Sequence, residues 1–225
     1  MVLTTAIFAI VVILGVLALG GTGMCTDGAR LRDRRLAQWG VRRELTTRVA
    51  EVHDHTDAKL QGTAFADDGD GSPSDGAGEL TAPFSGRRCV AYELTLFDYD
   101  GVRPSLLARV SVARSFLLRD DTGIAHVVPD PALVGIDPDK RWRFEEPSDA
   151  RVVALLERHV AGDRWRHHPV VVCEGVIAVG GPVACYGHVL HEPVSSGADS
   201  PYRTLGSRAL LVGSSSAPLL LIPDD

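Results

Sequence analysis

From Val2 to Gly20 the chain carries no charged residue, and its first charge of any kind is Asp27. The run from Ala6 to Leu19 is apolar on every face of a helix, and such a helix must be buried in a core or in lipid. With its flanks it reaches the ~20 residues that cross ~30 Å of hydrocarbon. A cleaved signal peptide would carry basic residues ahead of the apolar run, and none precedes Arg30. Cys25 does not follow the lipoprotein pattern, because Met24 occupies the place of a small residue. Residues 1–26 are therefore expected to be a transmembrane anchor, and the rest of the chain a domain tethered to a bilayer.

The flanks of the span set its expected direction. Arg30, Arg32, Arg34, Arg35, Arg42 and Arg43 come after it, while no Lys or Arg precedes it. Positive residues stay in the cytoplasm, which predicts a single-pass membrane protein with its N-terminus outside and its domain cytoplasmic. Residues 27–47 then form a basic juxtamembrane segment. Its arginines suit anionic headgroups, so membrane lipid is the first expected partner. The whole chain has 23 basic and 29 acidic residues, a net charge of -6, which argues against a nucleic-acid partner.

The remainder, 48–225, reads as α+β: a mainly antiparallel β domain, barrel- or sandwich-like, with one clear helix. Arg48 to His53 is a plausible first strand. Phe65 to Gly78 is Asp, Gly and Ser with almost no apolar residue, so a disordered loop is expected at 65–78. Val90, Tyr92, Leu94 and Leu96 alternate with polar or small residues, the period of a half-buried strand. Val110 and Val112 carry another strand. Phe116 to Arg119 and Ile124 to Val128 flank Asp120-Asp121-Thr122-Gly123, a strand–turn–strand signature in which Asp can bond local N–H groups. Ser148 is the expected cap of a helix whose stripe is Val152, Leu155, Leu156 and Val160, with Gly162 as its stop. Val170–Cys173 and Val176–Val179 are β-branched runs, Gly180-Gly181-Pro182 turns the chain, and Val183–Leu190 returns it. Ala209–Val212 and Pro218–Ile222 read as a last pair around Ser214 to Ser216.

The order of motifs has a counterpart. An apolar span precedes Ala82-Pro83-Phe84-Ser85-Gly86-Arg87-Arg88-Cys89, then Phe116 to Gly123, then Glu174-Gly175-Val176-Ile177, then Val183 to Gly187. In this the chain resembles the GIDE family, or beside-a-membrane domain, whose members include mitochondrial membrane-anchored E3 ubiquitin ligases. The resemblance marks Pro83, Ser85, Gly86, Cys89, Gly123, Glu174 and Gly187 as structural positions. In the ligases it implies a second span and a C-terminal RING. A RING needs eight Cys/His ligands in tight pairs. The four cysteines here, Cys25, Cys89, Cys173 and Cys185, form no such pairs, so ligase activity is not carried over and a RING-less, prokaryotic-type member is expected.

Other signals have plainer readings. His188-Val189-Leu190-His191-Glu192 is similar to a zinc-protease signature. That signature needs a helix, whereas three-residue spacing on a strand sends the rings to opposite faces. Asp68 to Glu79 is similar to a calcium loop but has Pro73 where glycine is required. Gly213 to Ala217 lies between strands, not between strand and helix, and reads as a turn. His167-His168 reads as the polar entry to a strand. We expect no catalytic residue, no metal and no cofactor. The expected function is that of a non-catalytic binding or scaffold module for a protein or lipid partner at the membrane, with an E3-like or other tethered enzyme as the alternative. Arg87, Arg88, Asp120 and Asp121 are the candidate partner contacts.

Overall fold

The computed structural model describes residues 44–67, 73–74, 78–99, 104–130, 134–194, 206–213 and 218–223. The chain divides into a unit at Met1–Arg43 and another at Glu44–Asp225. The expected span and the arginines from Arg30 to Arg43 lie outside the described residues. Among the described residues no helix is long and apolar enough to cross a membrane.

Described structure in the second unit is mostly β with one α-helix. Strand β1 (Thr56–Asp67) is followed by the short β2 (Pro73–Ser74) and β3 (Leu80–Thr81), then β4 (Arg88–Tyr99) and β5 (Pro104–Ala113). Next come β6 (Phe116–Arg119), β7 (Ile124–Val128), β8 (Val134–Ile136) and β9 (Lys140–Phe144). Helix α1 (Ala150–His159) and a 3-10 turn (Arg164–His167) precede β10 (Val170–Ala178), β11 (Pro182–Val194), β12 (Gly206–Val212) and β13 (Leu219–Pro223).

Strand β1 pairs with β6, β6 with β7, β7 with β12, β12 with β11, and β11 returns to β1. The sheet thus closes into a Greek-key barrel, in which β7–β12 is parallel and the other pairs of the ring are antiparallel. The alternating inward residues of these strands, among them Leu60, Ala64, Phe116, Leu118, Val127, Cys185, Val189 and Leu211, are buried together. Of the two architectures left open by the strand pattern, closure makes this a barrel.

A second sheet has β4 at its centre, with β3 and β5 along one edge and β10 on the other, followed by β9. One face packs Val90, Ala91 and Ile177 into the barrel core. The other buries Leu94, Leu96, Val170 and Val172 against Val152, Leu155, Leu156 and Trp165, where α1 and the 3-10 turn lie. Val152, Leu155 and Leu156 of the stripe read from the sequence are buried, whereas the helix ends at His159, ahead of the expected stop at Gly162, and Val160 is its partly buried C-cap.

Several expectations need correction. Residues 49–51 form a 3-10 turn and not a strand, and the first strand is β1. That strand runs on through Phe65 and Ala66 to Asp67, and Pro73–Ser74 pairs back onto it, so the segment expected as loop from Phe65 starts later. Residues 68–72, 75–77, 195–205 and 214–217 lie outside the described residues, and Glu192–Val194, expected to open a polar loop from Glu192 to Pro201, complete β11. The helix cap is Asp149, whose carboxylate accepts the Arg151 N–H at 2.9 Å, not Ser148. Strand β10 is continuous through Glu174 and Gly175. Strands β8 and β9 had no clear sequence signal. Strands β12 and β13 do not pair with each other: both lie along one edge of β11, β12 against His188–Val194 and β13 against Val183–Tyr186. The change of partner falls at Gly187, where an added Cβ would stand 2.8 Å from the Val212 carbonyl oxygen.

Candidate functional site

The Pro83–Gly86 segment folds into a turn closed by the Gly86 N–H, which donates to the Ala82 carbonyl at 2.9 Å, with Gly86 left-handed at φ 71°. Its amides point at one carboxylate. The Phe84 N–H donates to Glu174 Oε1 at 2.9 Å, and the Ser85 N–H donates to Glu174 Oε2 at 3.1 Å. Glu174 is completely buried. Arg87 closes the assembly with a paired contact to Asp139 at 2.6 and 2.9 Å, and its Nε donates to Ser85 Oγ at 3.2 Å. The Asp139 hydrogen bonds hold the Arg87 guanidinium more firmly protonated than usual. Arg88 forms a similar fork with Glu79, at 2.6 and 2.7 Å, on the surface. Cys89, next in the chain, is buried, and desolvation followed by the Glu174 charge pushes its thiol up to about 12. Pro83, Ser85, Gly86, Cys89 and Glu174 therefore meet in one place, and their chemistry is spent on holding a turn against β10.

Asp120 does comparable work elsewhere. Its Oδ1 accepts from the Thr122 N–H and Oγ1 (both 2.7 Å) and the Gly123 N–H (2.8 Å). Its Oδ2 accepts the Val49 N–H at 2.8 Å, and Thr122 Oγ1 accepts the Ala50 N–H at 3.1 Å. Gly123 packs closely here, since a Cβ there would lie 3.2 Å from Val49 Cγ1 and the valine side chain would have to shift slightly. Asp121 projects from the same turn and is exposed. Partial burial alone would raise the Asp120 carboxyl. The hydrogen bonds from Val49, Thr122 and Gly123 outweigh it and hold the group below its ordinary 3.8. A depressed folded-state value stabilises the fold above the ordinary value and loses that contribution as pH falls through the folded value. Asp120→Ala should therefore destabilise the chain by about 2–3 kcal/mol near neutrality. In urea melts from pH 7 to pH 3, the advantage of the unaltered chain over Asp120→Asn should shrink on the acid side of about pH 4.

Near the start of β1, on the outer side of the β1–β11 ladder, His188 Nδ1 lies 2.8 Å from Asp57 Oδ1, while the His191 N–H donates to Asp54 Oδ1 at 2.9 Å. That bond from His191 is the main cause of the low Asp54 carboxyl. The two histidines thus serve different carboxylates. Among the described residues no group of three His, Cys, Asp or Glu is placed to hold a metal ion. His167 lines an open cavity of about 490 Å³ with Glu145, Glu146, Pro147, Ser148 and Arg166.

A further cluster escaped the sequence reading. On the outer face of the barrel, His126 Nε2 meets Asp67 Oδ2, and His126 Nδ1 meets Arg208 Nη2. A guanidinium can only donate and a carboxylate only accept, so Nδ1 accepts from Arg208 and Nε2 donates to Asp67. Ile124 and Val128 stand on either side of His126 along β7, 42% and 36% exposed. Beside them Arg119 lies over the Phe65 ring, 4.5 Å from its centroid. The alternation along β7 was visible in the sequence. Asp67 and Arg208 come from positions 59 and 82 residues away, and no local signal joins them to His126.

No protein-family model, curated protein or solved structure matches this chain.

Proposed function

We propose that this chain is a non-catalytic binding and scaffold module held at the cytoplasmic face of a membrane, and that it engages a membrane-borne protein partner through the outer face of the β6–β7 hairpin. The observation that carries the reading is the pairing of Ile124 and Val128, two of the few large apolar side chains exposed among the described residues, on one face of one strand. Exposed apolar groups rimmed by polar ones mark interaction sites. Here the rim is Asp67, His126, Arg208 and Arg119, with Asp121 at the hairpin tip. In OB-type Greek-key barrels the second and third strands form the ligand face, and β6 and β7 hold those places in this ring. That likeness is one of strand order alone. Arg87, Asp120, Glu174 and Cys89, groups an enzyme would draw on, are engaged in holding backbone or buried, which favours binding over catalysis. Tethering would raise the module's effective concentration for partners in the same membrane.

The test is a photo-crosslinking residue at position 128, in the full chain in its native membrane, with position 141 as control. Position 128 should yield a discrete protein adduct that Ile124→Asp reduces at least tenfold, with the melting transition unchanged. Adducts to lipid alone would assign the face to lipid. Equal labelling from positions 128 and 141 would remove the face from consideration.

A further inference from the structure

The second sheet ends in two edge strands that are built differently. Strand β9, Lys140–Phe144, carries Lys140, Arg141 and Arg143, the kind of charge that keeps an edge from pairing. Strand β5, Pro104–Ala113, reads Pro-Ser-Leu-Leu-Ala-Arg-Val-Ser-Val-Ala and pairs only with β4 among the described residues. Its single charge, Arg109, is drawn to Glu93 on β4 and does not guard the edge. From Leu106 to Ala113 every residue is half-buried, as on a strand with one side unclaimed.

The backbone shows which groups are open. The Arg114 N–H donates to the Val90 carbonyl at 3.0 Å, and Tyr92 faces Val112 and Leu94 faces Val110 in register. Hydrogen bonding alternates along an antiparallel pair, so the even-numbered amides of β5 turn to β4, and those of Arg109 and Ser111 turn outward. The register shift between Leu96 and Phe97 lies toward the start of β5 and leaves Ala108 to Ala113 regular.

We infer that β5 is a self-association edge, and that two copies of this chain pair their β5 strands antiparallel about a two-fold axis at Val110. In that register Arg109 faces the partner's Ser111 as a hydrogen-bonded pair, so the outward backbone groups of both are satisfied by the same symmetric contact. Val110 faces itself in a non-hydrogen-bonded pair, with Ala108 opposite the partner's Val112 on the apolar side. Because Glu93 neutralises Arg109, the two copies bring no unpaired like charges into apposition. This inference stands apart from the β6–β7 face and survives the loss of that reading.

The experiment uses the full chain in mild detergent. Light scattering should give a dimer that dissociates on dilution. Ser111→Pro removes an outward N–H that β4 does not use, and it should weaken the dimer at least tenfold while leaving far-UV circular dichroism and the melting transition in place. Under mild oxidation Val110→Cys should give at least tenfold more disulfide-linked dimer than the unaltered chain or Arg141→Cys, since a non-hydrogen-bonded pair brings the two Cα atoms within disulfide range. A monomer at all concentrations would overturn the inference. So would a dimer unchanged by Ser111→Pro, or Val110→Cys linking no better than Arg141→Cys.

Discussion

Glu174→Ala should destabilise the domain by about 3–5 kcal/mol, one of the two largest effects expected of a single substitution. The carboxylate is completely buried at the middle of a central strand and is the acceptor for the Phe84 and Ser85 amides. Alanine leaves both amides without an acceptor, at a cost of about 1–3 kcal/mol each, and opens a cavity between β10 and the turn. The damage should spread, because Phe84 packs edge-on against Trp142, with ring centroids 4.6 Å apart, and lies in the same buried cluster as α1. Glu174→Gln keeps the shape and one acceptor oxygen, so it should cost about half as much. Urea unfolding followed by tryptophan fluorescence reads both, and equal stability of the alanine variant and the unaltered chain would refute the account.

Gly62→Ala is the second large expectation. Gly62 lies where β1 passes from its pairing with β11 to its pairing with β6, the corner of the barrel. A Cβ there would stand 2.4 Å from the Arg119 carbonyl oxygen and 2.8 Å from its carbonyl carbon. Both are backbone atoms of β6 and cannot swing aside, so the β1–β6 ladder must part. A loss of about 3 kcal/mol is expected, the upper part of the range for overpacking. Gly180→Ala is the control. Its φ of 74° strains an L side chain but nothing lies within 4 Å, so its cost should be about 1–2 kcal/mol. Thermal melts of the two variants should separate clearly, and the reverse order would mean that local strain outweighs close approach in this barrel.

The parts of the fold that the sequence determined by itself are those with a short period and a local partner. The Phe116–Val128 hairpin and the stripe Val152–Leu155–Leu156 depend on residues two to four apart, and each is realised as read; a strand also forms where Val90 to Leu96 alternate, but it is buried on both faces and not half-buried, because Ala91, Glu93 and Thr95 are covered as well. The Asp120 turn was legible for the same reason, since Thr122 and Gly123 lie within reach of its side chain. Its bond to Val49, 71 residues away, was not. Glu174-Gly175 reads locally as a break, because a charge and a glycine interrupt an apolar run. It is continuous strand because the amides that satisfy the charge arrive from residues 90 and 89 positions earlier, and because only glycine fits at 175, where a Cβ would stand 2.5 Å from the Asp137 carbonyl oxygen. The separation of β12 from β13 at Gly187, the closure of the barrel by β1 on β11, and the joining of Asp67 and Arg208 through His126 are likewise products of long-range pairing. Burial in a closed barrel decides which distant strands must meet. Residue order alone carries no record of that meeting, because the groups that complete each pair are supplied by chain tens of residues away.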